Sequence, residues 1–176
     1  VTVNALPVIS LTGSSSLCAG NSVTLNAGGA DTYVWSNAST GSSIVLTPTS
    51  TVNYSVSGTD LNGCIGNSQV NTVTVNTVPV VTISGPLSLC TGDNTTLTAT
   101  GADSYVWSDA STTQSISISP SASVAYTVTG TSIEGCTNTA VANVSVSSAP
   151  LVTISGTTNI CAGSSATLTA NGSTTY

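Results

Sequence analysis

The chain has 176 residues, six acidic side chains and no lysine, arginine or histidine, which gives it a formal net charge of −6. Without cationic side chains it cannot neutralise phosphate groups, so nucleic acid and an anionic membrane surface are poor partners. No apolar run approaches the roughly 20 residues of a spanning helix, so we expect no membrane insertion by this segment. Hydrophobic residues make up 39% of the chain, too many for a disordered polymer.

An internal repeat organises the sequence, and each copy opens with a similar segment: PVISLTG at 7–13, PVVTISG at 79–85 and PLVTISG at 150–156. The following landmarks recur at an offset of 72 residues and then 71: Cys18, Cys90 and Cys161; Cys64 and Cys136; Tyr33, Tyr105 and Tyr176; Trp35 and Trp107; Tyr54 and Tyr126. We predict the last strand of a preceding repeat over 1–6, repeat 1 over 7–78, repeat 2 over 79–149, and the N-terminal part of a truncated repeat 3 over 150–176. We expect the array to continue in both directions.

Short runs of Val, Ile, Thr and Tyr between Gly, Asn and Ser predict β-strands and turns. In chain order, the predicted strands of repeat 1 are Val8–Gly13, Ser22–Asn26, Thr32–Ser36, Ser43–Thr47, Val52–Val56 and Val70–Asn76. Six or seven strands at a spacing of about 8–12 residues indicate a small sandwich. The predicted fold class is therefore all-β, with tandem immunoglobulin-like β-sandwich repeats of about 72 residues, each with one disulfide.

Alternation along the strands predicts which aromatic side chains face the core. The predicted core aromatics are Tyr33, Trp35, Tyr54, Tyr105, Trp107 and Tyr126. The alternative for the two tryptophans is a platform on which a sugar ring stacks.

The cysteines are expected to staple this core, because a domain near 70 residues buries only about 60% of its unfolded surface. The repeat implies the disulfides Cys18–Cys64 and Cys90–Cys136, each at one end of its sandwich, whereas Cys161 would pair beyond the fragment. Such a bridge contributes roughly 4 kcal/mol and requires an oxidising compartment, which predicts an exported protein. Zinc is the alternative, but there is no histidine and no CxxC motif.

The sequence contains few residues that could carry out catalysis. A serine or cysteine nucleophile needs a neighbouring base, and neither histidine nor lysine is present. Among the acidic residues only Asp31 and Asp103 correspond between repeats, both in a Gly-Ala-Asp turn. A turn residue that bonds its own backbone explains them, and one ligand of a calcium site is the alternative. We therefore predict no enzyme, no catalytic residue and no cofactor, with calcium as the one candidate.

The motifs CAGNSVTLNA at 18–27, YVWS at 33–36, YSV at 54–56, NGC at 62–64 and VTVN at 73–76 together resemble a known family. They are similar to the immunoglobulin-like or PKD-like repeats of large secreted cell-surface proteins in Bacteroidota. The resemblance implies export by type IX secretion, attachment at the extracellular cell surface, and for some members a role as adhesins.

Three functions remain open from the sequence. The first is a structural repeat segment that serves as an adhesin shaft or stalk, with neighbouring repeats of the same chain as its partners. The second is the building block of a surface filament or sheath, in which the chain associates laterally with copies of itself, since its few charges oppose contact little. The third is an array of carbohydrate-binding modules that accompanies a secreted enzyme.

Overall fold

The computed structural model describes residues 2–172, which form β-strands and no helix. Repeat 1 contains β1 (Ser10–Gly13), β2 (Ser16–Cys18), β3 (Val23–Gly28), β4 (Thr32–Trp35), β5 (Ser43–Leu46), β6 (Val52–Tyr54), β7 (Val56–Thr59), β8 (Ile65–Asn67) and β9 (Asn71–Asn76). Repeat 2 contains β10 (Thr82–Ser84), β11 (Ser88–Cys90), β12 (Thr95–Thr100), β13 (Ser104–Trp107), β14 (Ser115–Ile118), β15 (Val124–Thr131) and β16 (Thr137–Ser147), and the third copy contributes β17 (Thr153–Gly156) and β18 (Leu168–Asn171). Residues 2–172 therefore contain no helical membrane span.

The strands pair as in an immunoglobulin-like sandwich. In repeat 2 one sheet has the order β10-β12-β14 and the other has the order β11-β16-β15-β13. Strand β11 runs parallel to β16, whereas β10, β12 and β14 are antiparallel to their neighbours. Repeat 1 has the equivalent sheet β1-β3-β5, and the equivalent parallel pair is β2 and β9. The predicted all-β, immunoglobulin-like fold is confirmed.

The second sheet of repeat 1 is interrupted where that of repeat 2 is continuous. Strands β6 and β7 together correspond to β15, and β8 and β9 correspond to β16. The amide of Val56 donates to the Ser68 hydroxyl at 3.0 Å, and the Ser68 amide donates to the Val56 carbonyl at 2.9 Å. A serine side chain thus replaces one ladder bond, which produces a local bulge in the sheet.

Repeats 1 and 2 each have a hydrophobic core, built mainly from strand positions that alternate with exposed ones. Leu25 and Val73 are fully buried in repeat 1, as are Leu97 and Val128 in repeat 2. Of the predicted core aromatics, Tyr33, Trp35, Tyr54, Tyr105 and Trp107 are buried, and Tyr126 is partly buried against the second core. No polar side chain is among the buried residues of the described part of the chain.

The chain divides into two compact units that do not follow the repeat boundaries at every point. Unit 1 comprises Val1–Val80 and Gly130–Asn138, and unit 2 comprises Val81–Thr129 and Thr139–Tyr176. The loop between β15 and β16 of repeat 2 therefore groups with repeat 1. The boundaries of the predicted repeats stay a prediction of the sequence.

Some strands of the structure differ from those that the sequence predicts. Residues 2–9 form no strand, so the strand predicted over 1–6 is not among the elements of the described residues. Val1 and Tyr176 lie outside the described residues. The three-residue strands β2 and β8 were missed by the sequence patterns, because runs this short carry no alternation.

Candidate functional site

The second cysteine of each repeat closes a tight loop just before the last part of the sheet. The carboxylate of Asp60 accepts bonds from the amides of Asn62, at 2.9 Å, and Cys64, at 2.8 Å. In repeat 2 the hydroxyl of Ser132 takes this place and accepts from the amide of Cys136 at 3.3 Å. The backbone closes both loops in the same way, since the amides of Asp60 and Ser132 donate to the carbonyls of Cys64 and Cys136 at 3.0 and 2.8 Å.

This loop lies at the end of the sandwich where the chain enters the repeat, which we call the entry end. The side-chain amide of Asn138, two residues after Cys136, donates to the carbonyl of Pro79 at 3.0 Å. At the equivalent position of repeat 1 is Gly66, where an added Cβ would overlap the carbonyl oxygen of Pro7. Pro7 and Pro79 both precede the first strand, so the second cysteine belongs to the entry end.

The first cysteine of each repeat lies at the opposite, exit end. Cys18 is the last residue of β2 and is in parallel register with Asn76, the last residue of β9. Cys90 ends β11 in the same register with Ser147, the last residue of β16. One residue further on, the amides of Ala19 and Thr91 donate to the carbonyls of Asn76 and Ser147 at 2.8 and 2.9 Å. Beyond Asn76 and Ser147 the chain leaves the repeat.

This arrangement shows that the predicted disulfides Cys18–Cys64 and Cys90–Cys136 are wrong. Strand β16 has 11 residues, with Cys136 immediately before its start and Cys90 beside its end. At about 3.3 Å per residue such a strand is roughly 33 Å long. A disulfide needs Cα atoms no more than about 7 Å apart. The two cysteines of one repeat therefore lie at opposite ends of the sandwich and cannot reach each other.

The disulfide in the structure joins cysteines of different repeats. Cys18 of repeat 1 is bonded to Cys136 of repeat 2, with a Cα–Cα distance of 5.6 Å and a sequence separation of 118 residues. The bond lies inside unit 1, because residues 130–138 group with residues 1–80. Cys136 is fully buried there. Cys64, Cys90 and Cys161 are free thiols. Cys64 is partly exposed, and the other two are exposed.

The aspartates proposed as calcium ligands lie on the surface, in turns that tyrosine side chains hold together. Asp31 and Asp103 are exposed. The turn before Asp31 is closed by the hydroxyl of Tyr33, which bonds both backbone groups of Ala30. Within residues 2–172 no three His, Cys, Asp or Glu side chains come close enough together to hold a metal ion. Calcium at Asp31 or Asp103, like the absence of enzyme activity, stays a prediction of the sequence.

The tryptophans have no face available for a sugar ring. Trp35 and Trp107 are each 2% exposed. Their indole N–H groups donate to the carbonyls of Gly41, at 2.8 Å, and Thr113, at 2.9 Å, so the polar edge of each ring is also satisfied within the protein. The alternative interpretation of these residues as sugar-stacking platforms is therefore wrong.

Similarity to known proteins is found among solved structures. No family model and no curated protein match the sequence. Among solved structures, the chain is similar to three N-terminal domains of the Highly Immunogenic Outer Capsid protein of bacteriophage RB49, with 19% identity, 94% of this chain and 69% of that chain covered, and a TM-score of 0.40. A 1.5-MDa bacterial ice-binding adhesin has 16% identity, coverages of 89% and 71%, and a TM-score of 0.42. A Ca²⁺-stabilised adhesin of an Antarctic bacterium has 14% identity, coverages of 88% and 53%, and a TM-score of 0.47. Because these similarities are distant, the fold assignment rests on the strand order and register of the chain itself.

Proposed function

We propose that the chain is a load-bearing segment in the shaft of a large extracellular surface protein, of the kind that serves as an adhesin stalk. The observation that carries this proposal is the bond between Cys18 and Cys136. A pulling force along the chain passes from Cys18 directly to Cys136, so residues 19–135 lie in a closed loop outside the path of tension. Strands β3 to β15 are all inside that loop.

The protection is large on the scale of a single domain. A chain at full extension spans about 3.4 Å per residue, so opening a loop of 118 residues would release roughly 400 Å of length. The covalent bond withholds this length even when the strands inside the loop separate. The same loop closure stabilises the fold by about 5 kcal/mol in the chain-entropy model. A shaft needs both properties, since it must keep its length under load.

The disulfide and the amino-acid composition both agree with an extracellular location. Structural disulfides form and persist in oxidising compartments, which supports an exported protein. The chain also contains no lysine or arginine, so trypsin-like proteases have no site at which to cut it. Attachment to the cell surface, the type IX route and an origin in Bacteroidota are proposed from the sequence resemblance alone.

Single-molecule force spectroscopy tests the shaft. The 176-residue chain, held by its two ends without reductant, should unfold with a contour-length gain that lacks the roughly 400 Å of the closed loop. A Cys136→Ser variant should regain that length. Cys64→Ser is the matched control, because Cys64 carries no disulfide, and its traces should equal those of the parent chain. Full-length extension of the unreduced parent chain would contradict the proposal.

The filament remains a second candidate because several strands present apolar side chains on their outer faces. Val34, Val45, Val106 and Val141 are between 51% and 70% exposed, and the other side chains on the same outer face of each strand are serine, threonine or asparagine. Such faces can pack against a second copy with little charge repulsion. Electron microscopy of the unreduced protein separates the two functions: a shaft gives single thin strings, and a filament gives ordered fibres with lateral contacts. The carbohydrate-binding array loses its support with the burial of both tryptophans.

A further inference from the structure

We propose that the Cys18–Cys136 bond is one instance of a repeating covalent staple, in which the first cysteine of each repeat bonds the second cysteine of the following repeat. Cys90 is then the bonding site for the second cysteine of the repeat that begins at Pro150. Cys64 is the bonding site for the first cysteine of a repeat that precedes Pro7. This inference does not depend on whether the array is a shaft or a filament.

The surroundings of Cys90 reproduce those of Cys18. Both cysteines end a three-residue strand that pairs in parallel with the last strand of the same repeat. After each of them the chain makes the same turn, in which the amide three residues on donates to the cysteine carbonyl at 3.0 Å, from Asn21 to Cys18 and from Asp93 to Cys90. Cys161 makes the third copy of this turn, with the amide of Ser164 at 3.0 Å. The exit ends of repeats 1 and 2 therefore present Cys18 and Cys90 on the same local structure.

The surroundings of Cys64 reproduce those of Cys136. Each cysteine closes the loop that a side-chain oxygen four residues earlier holds, from Asp60 for Cys64 and from Ser132 for Cys136. Cys136 is fully buried in its disulfide, whereas Cys64 retains intermediate exposure. The same loop therefore occurs with a disulfide at Cys136 and with a free thiol at Cys64.

The partner of Cys64 or Cys90 cannot be the other cysteine of its own repeat, because the two lie at opposite ends of the sandwich. The partner proposed for Cys90 is the second cysteine of the third copy. Residues 150–176 of that copy contain only its first cysteine, Cys161. The thiol of Cys90 is exposed, which leaves it open to a partner from outside repeat 2. The chemistry that fits it is a second thiol on an entry-end loop of the same kind.

The bond forms by thiol–disulfide exchange with an oxidised dithiol oxidoreductase of the exporting compartment. One cysteine thiolate attacks the disulfide of the oxidoreductase and forms a mixed disulfide, and the second cysteine thiolate then displaces the oxidoreductase sulfur. The two cysteines lose two protons and two electrons in total, and the disulfide of the oxidoreductase is reduced to two thiols. In vitro, oxidised glutathione takes the role of the oxidant.

A repeating staple changes what carries tension in a longer array. Force would cross from Cys18 to Cys136, follow the backbone only over the 25 residues from Cys136 to Cys161, and cross again at the next bond. A second series of bonds, which starts at Cys90, would overlap the first. Reduction of Cys18–Cys136 alone would leave closed the loops of the second series that end at Cys64 and start at Cys90, so only the 26 residues from Cys64 to Cys90 would come under tension.

The test is a chain in which residues 150–176 are replaced by a second copy of residues 79–149, which supplies a complete third repeat. The substitution Glu134→Asp in the copy gives its cysteine peptide a distinct mass. After oxidative refolding with glutathione, free thiols are alkylated and disulfide-linked peptides from digestion with a chymotrypsin-like protease are identified by mass spectrometry. We expect Cys18 bonded to the original Cys136, and Cys90 bonded to the copied, mass-marked cysteine. In the matched control, the copy of Cys136 is replaced by serine. Cys90 should then be alkylated, and the Cys18–Cys136 bond should be unchanged.

The opposite extension places a copy of residues 7–78 ahead of Pro7, and there the first cysteine of the copy should bond Cys64. Either cross-repeat link supports the staple. Alkylation of Cys90 in the first chain together with alkylation of Cys64 in the second overturns it, as does a bond between Cys90 and Cys136 of the same repeat. Because the Cys18–Cys136 bond is scored in the same digests, its formation shows in each case that unit 1 has folded.

Discussion

The hydroxyl group of Tyr33 bonds both backbone groups of Ala30: it accepts from the amide nitrogen at 2.8 Å and donates to the carbonyl oxygen at 2.6 Å. Tyr105 repeats this arrangement with Ala102 at 3.0 and 2.8 Å. The ring of each tyrosine is in the core, while its hydroxyl closes the turn that leads into the tyrosine's own strand. One side chain thus links the core of each repeat to the turn at its edge.

Replacement of Tyr33 by phenylalanine should lower the free energy of unfolding by about 1–3 kcal/mol. The ring still fills its place in the core, but two part-buried backbone groups lose their partner, and each net hydrogen bond contributes about 0.5–1.5 kcal/mol. Urea unfolding followed by circular dichroism measures the change. Val34→Ala is the control on the exposed face of the same strand, and its effect should stay within about 0.5 kcal/mol. An equal effect of both variants would show that the hydroxyl bonds contribute little.

Much of this core can be predicted from the sequence, because alternate residues of a strand face the same side of the sheet. The YVW motif at 33–35 has two side chains buried and one exposed, as period-two alternation requires. The role of the Tyr33 hydroxyl was not predicted. The sequence shows a tyrosine three residues after an alanine in a turn, but only the fold of the turn brings the hydroxyl to the backbone.

Replacement of Leu25 by alanine should destabilise the protein by about 2–5 kcal/mol. Leu25 is fully buried in the centre of the first core, so truncation leaves a cavity as well as lost contacts. Val45→Ala is the matched control, because Val45 lies on the neighbouring strand β5 and is 70% exposed. Thermal unfolding of both variants should separate them by several degrees or more. A similar loss for Val45→Ala would mean that its outer face is covered, as lateral assembly requires.

Replacement of Gly29 by alanine should cost more than replacement of Gly20 by alanine. Both glycines have positive φ angles, 98° for Gly29 and 88° for Gly20, and an L-residue there costs roughly 1–2 kcal/mol. A Cβ at Gly29 would in addition overlap the carbonyl oxygen of Val8, whereas a Cβ at Gly20 meets no atom within 4 Å. Urea midpoints of the two variants measure the difference. If the two variants were equally stable, the close approach of Val8 to this turn would be wrong.

The cysteine pairing illustrates what the sequence could not provide. The repeat correctly marks Cys18, Cys64, Cys90 and Cys136 as two equivalent sets, but pairing within a repeat and pairing across repeats use the same residue types. The choice depends on the end of the sandwich at which each cysteine lies. That is decided by the parallel pairing of β2 with β9, and a strand of three residues leaves no periodic signal in the sequence.

Loss of the Cys18–Cys136 bond should therefore be the most destabilising change among the cysteine variants. A Cys18→Ser/Cys136→Ser double variant should lose about 4–5 kcal/mol of unfolding free energy, since the bond closes a loop of 118 residues. Each single variant should lose nearly as much, because either one breaks the same bond. Cys64→Ser should leave the thermal midpoint unchanged in the 176-residue chain, where Cys64 has no disulfide partner. Calorimetry under non-reducing conditions gives all four values. A large loss for Cys64→Ser, with none for Cys136→Ser, would show that Cys18 bonds Cys64 of its own repeat and not Cys136.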